Sequence, residues 1–259
     1  MKVNTNSNVY IIIYSVVMVV IVAVLLALAA ESLKPLQSEN ILNEKKTQIA
    51  KALHKTASYE EVVAEAALID ADGKVVDTVT ENVFAALQNL KGSRANGLFP
   101  IFKAKNGCVV VPLSGDGLWG PIWGYVALEK DMNTIKGIVL DHKGETPGLG
   151  AEIANDNHQE QYKGKTIFKG KKFMGITLVK DGVKSDSKNI AHEVDAISGG
   201  TMTSDGVTNM IKKSLESYKS YFEANKAEVE AVVYEPATTE AEGAEDEKSN
   251  DNKPENNGK

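Results

Sequence analysis

A single cysteine, Cys108, stands in the 259-residue sequence, so no disulfide can form within the chain. It lies in the apolar stretch Cys108-Val109-Val110-Val111 without a cationic neighbour. That setting describes a small buried hydrophobe rather than an activated thiol. Histidine is scarce as well: His54, His142, His158 and His192 stand alone, without the spacing of a metal site, and no metal is assigned. Neither sign of charge dominates the part expected to fold. Of the formal net charge of −6, the stretch from Pro236 to Lys259, with seven acidic residues and three lysines, carries −4. The remainder is nearly neutral, and nothing in it points to a nucleic-acid partner. The same stretch has no aromatic residue and no Val, Ile, Leu or Met. It has nothing with which to offset the entropy of ordering, and a disordered acidic tail is expected over residues 233–259. No internal repeat and no Rossmann fingerprint are recognised.

What is present begins with a long apolar run. Tyr10 to Ala30 is interrupted only by Tyr14 and Ser15, and a bilayer core takes about 20 such residues at about 1.5 Å rise each. The run can therefore cross a membrane once. Signal-peptide apolar regions are usually about 7 to 15 residues, which favours a retained anchor over a cleaved leader. A leader would have Lys2 as its charge and Ala27-Leu28-Ala29 as its cleavage site. Lys2, Glu31 and Lys34 leave the orientation open. The expected layout is an anchor over residues 1–34, one domain over 35–232, then the tail.

Within the domain the first third reads as helical. Ser38 is placed as the cap of a helix whose apolar face holds Leu42, Ile49 and Leu53. Ser58 and Glu61 form a capping box before Val62 and Val63, and Val83, Phe84, Leu87 and Leu90 recur at helical spacing after Thr80. Beyond Gly97 come short runs rich in β-branched and aromatic residues, read as strands: Leu98 to Phe102, Cys108 to Val111, Ile122 to Leu128, Thr134 to Leu140 and Phe173 to Val179. Val207, Met210, Ile211, Leu215, Tyr218 and Phe222 return to helical periodicity. Helices, then strands, then a helix indicate an α+β fold with a mainly antiparallel sheet and flanking helices.

The chemistry concentrates in Asp195-Ala196-Ile197-Ser198-Gly199-Gly200-Thr201-Met202-Thr203-Ser204, which leads into that last helix. Glycines expose backbone N–H groups, and a helix N terminus adds unpaired donors and a positive dipole end. Together they suit a phosphorylated ligand; an ordinary N-cap at Thr203 or Ser204 after a flexible turn is the plainer alternative. In Thr146-Pro147-Gly148-Leu149-Gly150 a proline and two glycines make a tight turn that lets backbone approach a planar ligand. Leu118, Trp119 and Leu149 are candidates for an apolar rim, although a tryptophan in a strand-rich domain is more often core. Lys180 by itself reads as a surface lysine at a strand end.

Asp195-x-x-Ser198-Gly199-Gly200-Thr201 resembles the flavinylation motif of FMN-binding domains, Asp-x-x-Ser-Gly-Ala-Thr, with Gly200 in place of the usual Ala. Gly117-Leu118-Trp119-Gly120-Pro121-Ile122-Trp123-Gly124-Tyr125 and Glu145-Thr146-Pro147-Gly148-Leu149-Gly150 are similar to loops of one family, the C subunits of the sodium-translocating NADH:quinone reductase, or NqrC family. The resemblance implies FMN joined by a phosphodiester to Thr201. Ser198, Gly199, Gly200, Thr146, Leu149, Gly150, Leu118, Trp119 and Lys180 would lie around it, Lys180 as a cation favouring reduced flavin. It also implies an electron-transfer subunit, inactive alone, in a complex that passes electrons from NADH through flavins and iron centres to ubiquinone while sodium crosses the membrane. NADH would bind elsewhere in that complex. The implied partners are the other subunits, a flavin transferase using FAD, and membrane lipid. The implied location is the bacterial inner membrane, single-pass, with a periplasmic globular domain. The alternatives are the G subunit of an Rnf-type electron-transport complex, which shares the flavin motif, and a membrane-tethered binding module without redox activity.

Overall fold

The computed structural model describes residues 7–226. The expected tail over 233–259 and the last residues of the expected domain lie outside them. The first element is one uninterrupted helix, α1, Asn8–Leu53, of 46 residues, about 70 Å long at 1.5 Å per residue. Its apolar side chains from Val9 to Leu28 are exposed, and by length and composition it can cross a membrane. Only its last turns are buried, through Ile49, Ala50, Ala52 and Leu53. Pro35 does not break it. Ser38, expected as a cap, sits inside the helix and donates its hydroxyl to the Lys34 carbonyl at 3.0 Å. The helix runs through on both sides despite Pro35, so no helix N terminus with free N–H groups exists there for a cap to satisfy.

A single turn follows, α2 (Tyr59–Val62), where the Ser58 N–H donates to the Glu61 carboxylate at 3.0 Å. The chain then turns directly into β1 (Val63–Ile69) and β2 (Val75–Asp77). β1 contradicts the helical reading of the first third. Its Ala-Glu-Ala-Ala-Leu stretch has helix-favouring composition, but pairing with a neighbour on each edge and burial on both faces override propensity.

Helices α3 (Thr80–Gln88) and α4 (Leu90–Ala95) precede four strands: β3 (Phe99–Ala104), β4 (Val109–Asp116), β5 (Pro121–Leu128) and β6 (Ile135–His142). β1 to β6 form one antiparallel sheet in the order β2-β1-β3-β4-β5-β6. Next come a 3-10 turn at Gly150–Ala154, α5 (Asp156–Glu160), and the short hairpin β7 (Phe168–Lys169) and β8 (Lys172–Phe173). β9 (Thr177–Val179) pairs in parallel with β10 (Glu193–Asp195), so the expected strand Phe173 to Val179 is divided between two small sheets. The closing helical segment is also two pieces, α6 (Thr201–Glu216) and α7 (Lys219–Asn225).

Side chains on a strand alternate between faces, and both faces of the large sheet are covered. Val109, Val111, Leu113, Ile122, Val126 and Leu128 share one core with Val207, Met210, Ile211 and Leu215 of α6. Val110, Tyr125 and Ala127 share the other with the end of α1 and with Val83, Phe84 and Leu87 of α3. Cys108 is buried in this second core. Burial, with Glu129 beside it, pushes its thiol up to about 11, which keeps it protonated and inert.

The sheet also places α1 relative to the loops. Ala52 lies against Gly137, Gln48 donates to Asp141 at 3.1 Å, and Ile41, Glu44 and Lys45 flank Ser114 and Trp123. Following α1 toward its apolar end therefore leads toward the β4–β5 tip, Gly117–Gly120.

Candidate functional site

Three loops meet at the N terminus of α6. The first is the β4–β5 tip, closed by a hydrogen bond from the Gly117 N–H to the Gly120 carbonyl at 2.8 Å. Gly115, Gly117 and Gly120 have the spacing of a dinucleotide fingerprint, but they sit on a β-hairpin and not between a strand and a helix, so they cannot present a helix N terminus to a pyrophosphate. The second loop is Glu145 to Gly150. Its turn is closed from the Leu149 N–H to the Thr146 carbonyl at 3.1 Å, with Pro147 and then Gly148 (φ +74°) at its centre; that is the residue order a type II turn requires. The third loop, Ile197 to Gly200, repeats the device, with Gly199 at φ +72° and the Gly200 N–H bonded to the Ile197 carbonyl at 3.0 Å.

The loops touch where glycine lets them. A Cβ on Gly199 would fall 2.7 Å from Leu149 Cδ2, and one on Gly150 would strike the Thr203 hydroxyl at the start of α6. Leu118, Glu145, Thr146, Leu149, Gly150, Gly199, Gly200, Thr201, Met202 and Thr203 line a cleft of about 130 Å³. Of the residues expected at the site, Leu118, Thr146, Leu149, Gly150, Gly199, Gly200 and Thr201 are thus brought together. Ser198 and Trp119 do not line the cleft. Trp119 is 69% exposed, so it is not the core residue that a tryptophan more often is. Lys180 is also outside the lining; it follows Val179, which pairs with Asp195, the last residue of β10, two residues before the third loop.

Helix α6 begins at Thr201, with Gly200 as its N-cap and no side-chain cap bond. This corrects the expectation that Thr203 or Ser204 caps it. Both lie inside the first turn, buried and otherwise engaged. Thr203 Oγ1 donates to Glu145 Oε2 at 2.6 Å, and Ser204 Oγ accepts from the Ile197 N–H at 3.0 Å. The first intrahelical bond runs from the Ser204 N–H to the Gly200 carbonyl, so the N–H groups of Thr201, Met202 and Thr203 precede it and remain at the open end of the dipole. The exposed Thr201 residue stands beside them.

The structure adds Glu145, Met202 and Thr203 to the site residues: the sequence shows Glu145 only as the head of its motif and Thr203 only as a capping hydroxyl beside Thr201. Glu145 is 4% exposed and accepts from the Trp119 N–H at 2.9 Å as well as from Thr203. Burial pushes its carboxyl up, but the bonds from Thr203 and from the Trp119 and Leu118 N–H groups, with His142 nearby, outweigh that and hold it below the usual carboxylate range. Its place at the head of the second loop was the only available signal. Among the described residues no group of three or more His, Cys, Asp or Glu could hold a metal ion.

The cleft fits one end of a phosphorylated ligand. Small and open, with glycine backbone and the α6 N terminus in its lining, it suits a phosphoryl group. A ring would lie above it on Leu118, Leu149 and Met202, whose exposures of 51%, 41% and 62% leave apolar surface open to cover. Glycine-lined backbone, the N–H groups of the first turn of α6 and an adjacent apolar shelf suit a ligand with a phosphate at one end and an apolar, planar part at the other.

A sequence profile of the FMN-binding domain matches residues 117–216, the span that holds all three loops, and the chain contains such a domain. The C subunit of the Na(+)-translocating NADH-quinone reductase of Chlamydia trachomatis is 42% identical over 124 residues; the match covers 43% of this chain and 39% of that protein's length. The crystal structure of the same subunit from Parabacteroides distasonis aligns with a TM-score of 0.66 at 34% identity, covering 73% of this chain and 96% of that one. The Shewanella oneidensis NqrC structure aligns at 0.59 and 32%, covering 71% and 97%. The chain belongs to the family of C subunits of the Na(+)-translocating NADH-quinone reductase.

Proposed function

We propose that this chain is the membrane-anchored electron-relay subunit of a sodium-translocating NADH:quinone reductase and carries FMN on Thr201 through a phosphodiester. The observation that carries this reading is the position of Thr201, exposed at the first residue of α6 in a cleft shared by the three loops. In the attachment step, catalysed by a transferase using FAD, the Thr201 oxygen bonds to the phosphorus of the FMN half. The pyrophosphate P–O bond breaks, AMP leaves, and the hydroxyl proton passes to the transferase or solvent. The N–H groups of Met202 and Thr203 and the dipole of α6 stabilise the remaining phosphate charge. When bound, FMN supplies reversible acceptance and donation of electrons. Leu118, Leu149 and Met202 would offer the ring an apolar surface, and Ser198, Trp119 and Lys180, outside the cleft lining, would lie at its periphery.

The apolar part of α1 spans the inner membrane once, with the domain on the periplasmic side and the cleft turned toward the bilayer. NADH and ubiquinone bind other subunits. The test is co-expression of the full chain with the transferase, followed by in-gel fluorescence of the denatured protein. Wild type and Ser198→Ala fluoresce and Thr201→Ala does not. Fluorescence that persists in Thr201→Ala, or peptide mass spectrometry placing FMN on Ser198, Thr203 or Ser204, refutes the assignment.

A further inference from the structure

Glu145 is a buried carboxylate with no cation bonded to it: among the described ion pairs none involves it. A lone buried charge is costly unless hydrogen bonds compensate it. Here the donors come from two separate segments, the Trp119 N–H of the hairpin tip at 2.9 Å and Thr203 Oγ1 of α6 at 2.6 Å. Its own loop is fixed at the same point, because the Glu145 N–H donates to His142 Nδ1 at 3.2 Å and Gly150 has no room for a Cβ against Oε2. Nor has Gly117, where a Cβ would fall 2.5 Å from Oε1. One side chain therefore touches two walls of the cleft and belongs to the third.

We propose that Glu145 is a positioning residue for the flavin site: its carboxylate ties the Gly117–Gly120 tip and the first turn of α6 to the Thr146–Gly150 turn. The cleft presents Thr201 for attachment only while that tie is made. This rests on the reading of Thr201 as the flavin attachment residue. A second consequence follows from charge. A carboxylate in the cleft wall disfavours added negative charge on a ligand held there, so it lowers the potential of bound flavin.

The test uses the full chain in detergent, co-expressed with the transferase, and reads the labelling rate and the flavin midpoint potential. Charge-assisted hydrogen bonds are the stronger kind, and loss of one is expected to slow labelling in Glu145→Ala and Thr203→Val by about ten-fold or more. Glu145→Gln keeps the shape and one acceptor; it is expected to recover labelling relative to Glu145→Ala and to shift the potential positive. Should Glu145→Ala fail to fold, Thr203→Val, which removes one side of the tie without a change of size, carries the labelling test. Wild-type labelling in Thr203→Val together with a wild-type potential in Glu145→Gln overturns the proposal. If wild type itself is not labelled, or is labelled away from Thr201, it is the underlying flavin reading that fails.

Discussion

Gly206 lies in the second turn of α6, where alanine should be the better residue. Replacing glycine by alanine inside a helix is worth about 0.8–1 kcal/mol of helix propensity. The tertiary contact opposes this. A Cβ at Gly206 would fall 2.5 Å from the Asp116 carbonyl oxygen, 3.3 Å from Gly117 Cα and 3.4 Å from the Asp116 carbonyl carbon. A carbon approaches a carbonyl oxygen to about 3.3 Å at closest, so α6 and the β4 end must separate by roughly 0.8 Å. The obstructing atom is backbone in a paired strand, Asp116 facing Pro121 across the hairpin, and it cannot swing aside as a flexible side chain would. Overpacking of this kind costs about 1–3 kcal/mol; an obstruction by fixed backbone belongs to the upper part of that range, about 2–3 kcal/mol, and less the propensity gain the net loss for Gly206→Ala is about 1–2 kcal/mol. Urea denaturation of the detergent-solubilised chain, followed by tryptophan fluorescence, measures it. Asn209→Ala, at an exposed position of the same helix, serves as the control and should be neutral or slightly stabilising. The displacement also opens the Trp119–Glu145–Thr203 tie, so flavin labelling should fall in parallel. A Gly206→Ala protein as stable as wild type would show that the close approach of α6 to the hairpin does not hold, and with it the geometry assigned to the cleft.

Removing residues 1–34 should give a domain that is soluble without detergent and still accepts flavin, because every buried residue of α1 lies at Ile49 or beyond; insolubility or loss of labelling would count against the assignment of α1 as an anchor separate from the site. His158 is held down to about 4 by burial, with Asp195 a smaller opposing influence, so it stays neutral in the fold while the unfolded chain protonates near pH 6.5. The stability this contributes is complete above pH 6.5 and is lost as pH falls toward 4, about 3 kcal/mol at 1.36 kcal/mol per pH unit; denaturation midpoints at pH 7 and 4.5 should converge in His158→Gln, and an unchanged loss there would refute the cause. Leu149→Ala should keep the covalent flavin but shift its absorbance more than Trp119→Ala does, since only Leu149 lines the cleft; identical spectra in both variants would place the ring elsewhere.

Local pattern and tertiary demand agreed in some segments and not in others, and the difference has a physical source. Ile122 to Leu128 was legible as a strand because its β-branched and aromatic residues state the same preference that the sheet imposes. Val63 to Ile69 was not: alanine and glutamate favour helix, and only pairing with β2 and β3, which no local pattern records, makes it a strand. The start of α6 failed differently. Thr203 and Ser204 look like caps because hydroxyl residues usually end a helix by bonding its free N–H groups. Here Gly200 ends the helix without a side chain, and both hydroxyls are drawn off to Glu145 and Ile197.

The cleft shows why its glycines could be read ahead of its carboxylate. Gly148 and Gly199 adopt positive φ, and Gly150 and Gly199 stand where a Cβ would strike a neighbouring group. Such positions exclude nearly every other residue, so they leave a mark in the sequence that is visible without the fold. Glu145 leaves only its place at the head of the Glu145–Gly150 motif, because an acidic residue before a turn is ordinary until Trp119 and Thr203 are seen to converge on it from 26 and 58 residues away. Gly200 falls between these cases. Its φ of −108° suits any residue, and a Cβ there would meet Ile197 Cγ2 at 3.0 Å and the Gly150 nitrogen at 3.3 Å. The Ile197 side chain can yield a few tenths of an ångström, whereas the Gly150 backbone is fixed by its own turn. The alanine usual in this motif therefore fits only tightly at residue 200, and glycine keeps the third loop seated against the second at the cost of a looser chain before Thr201.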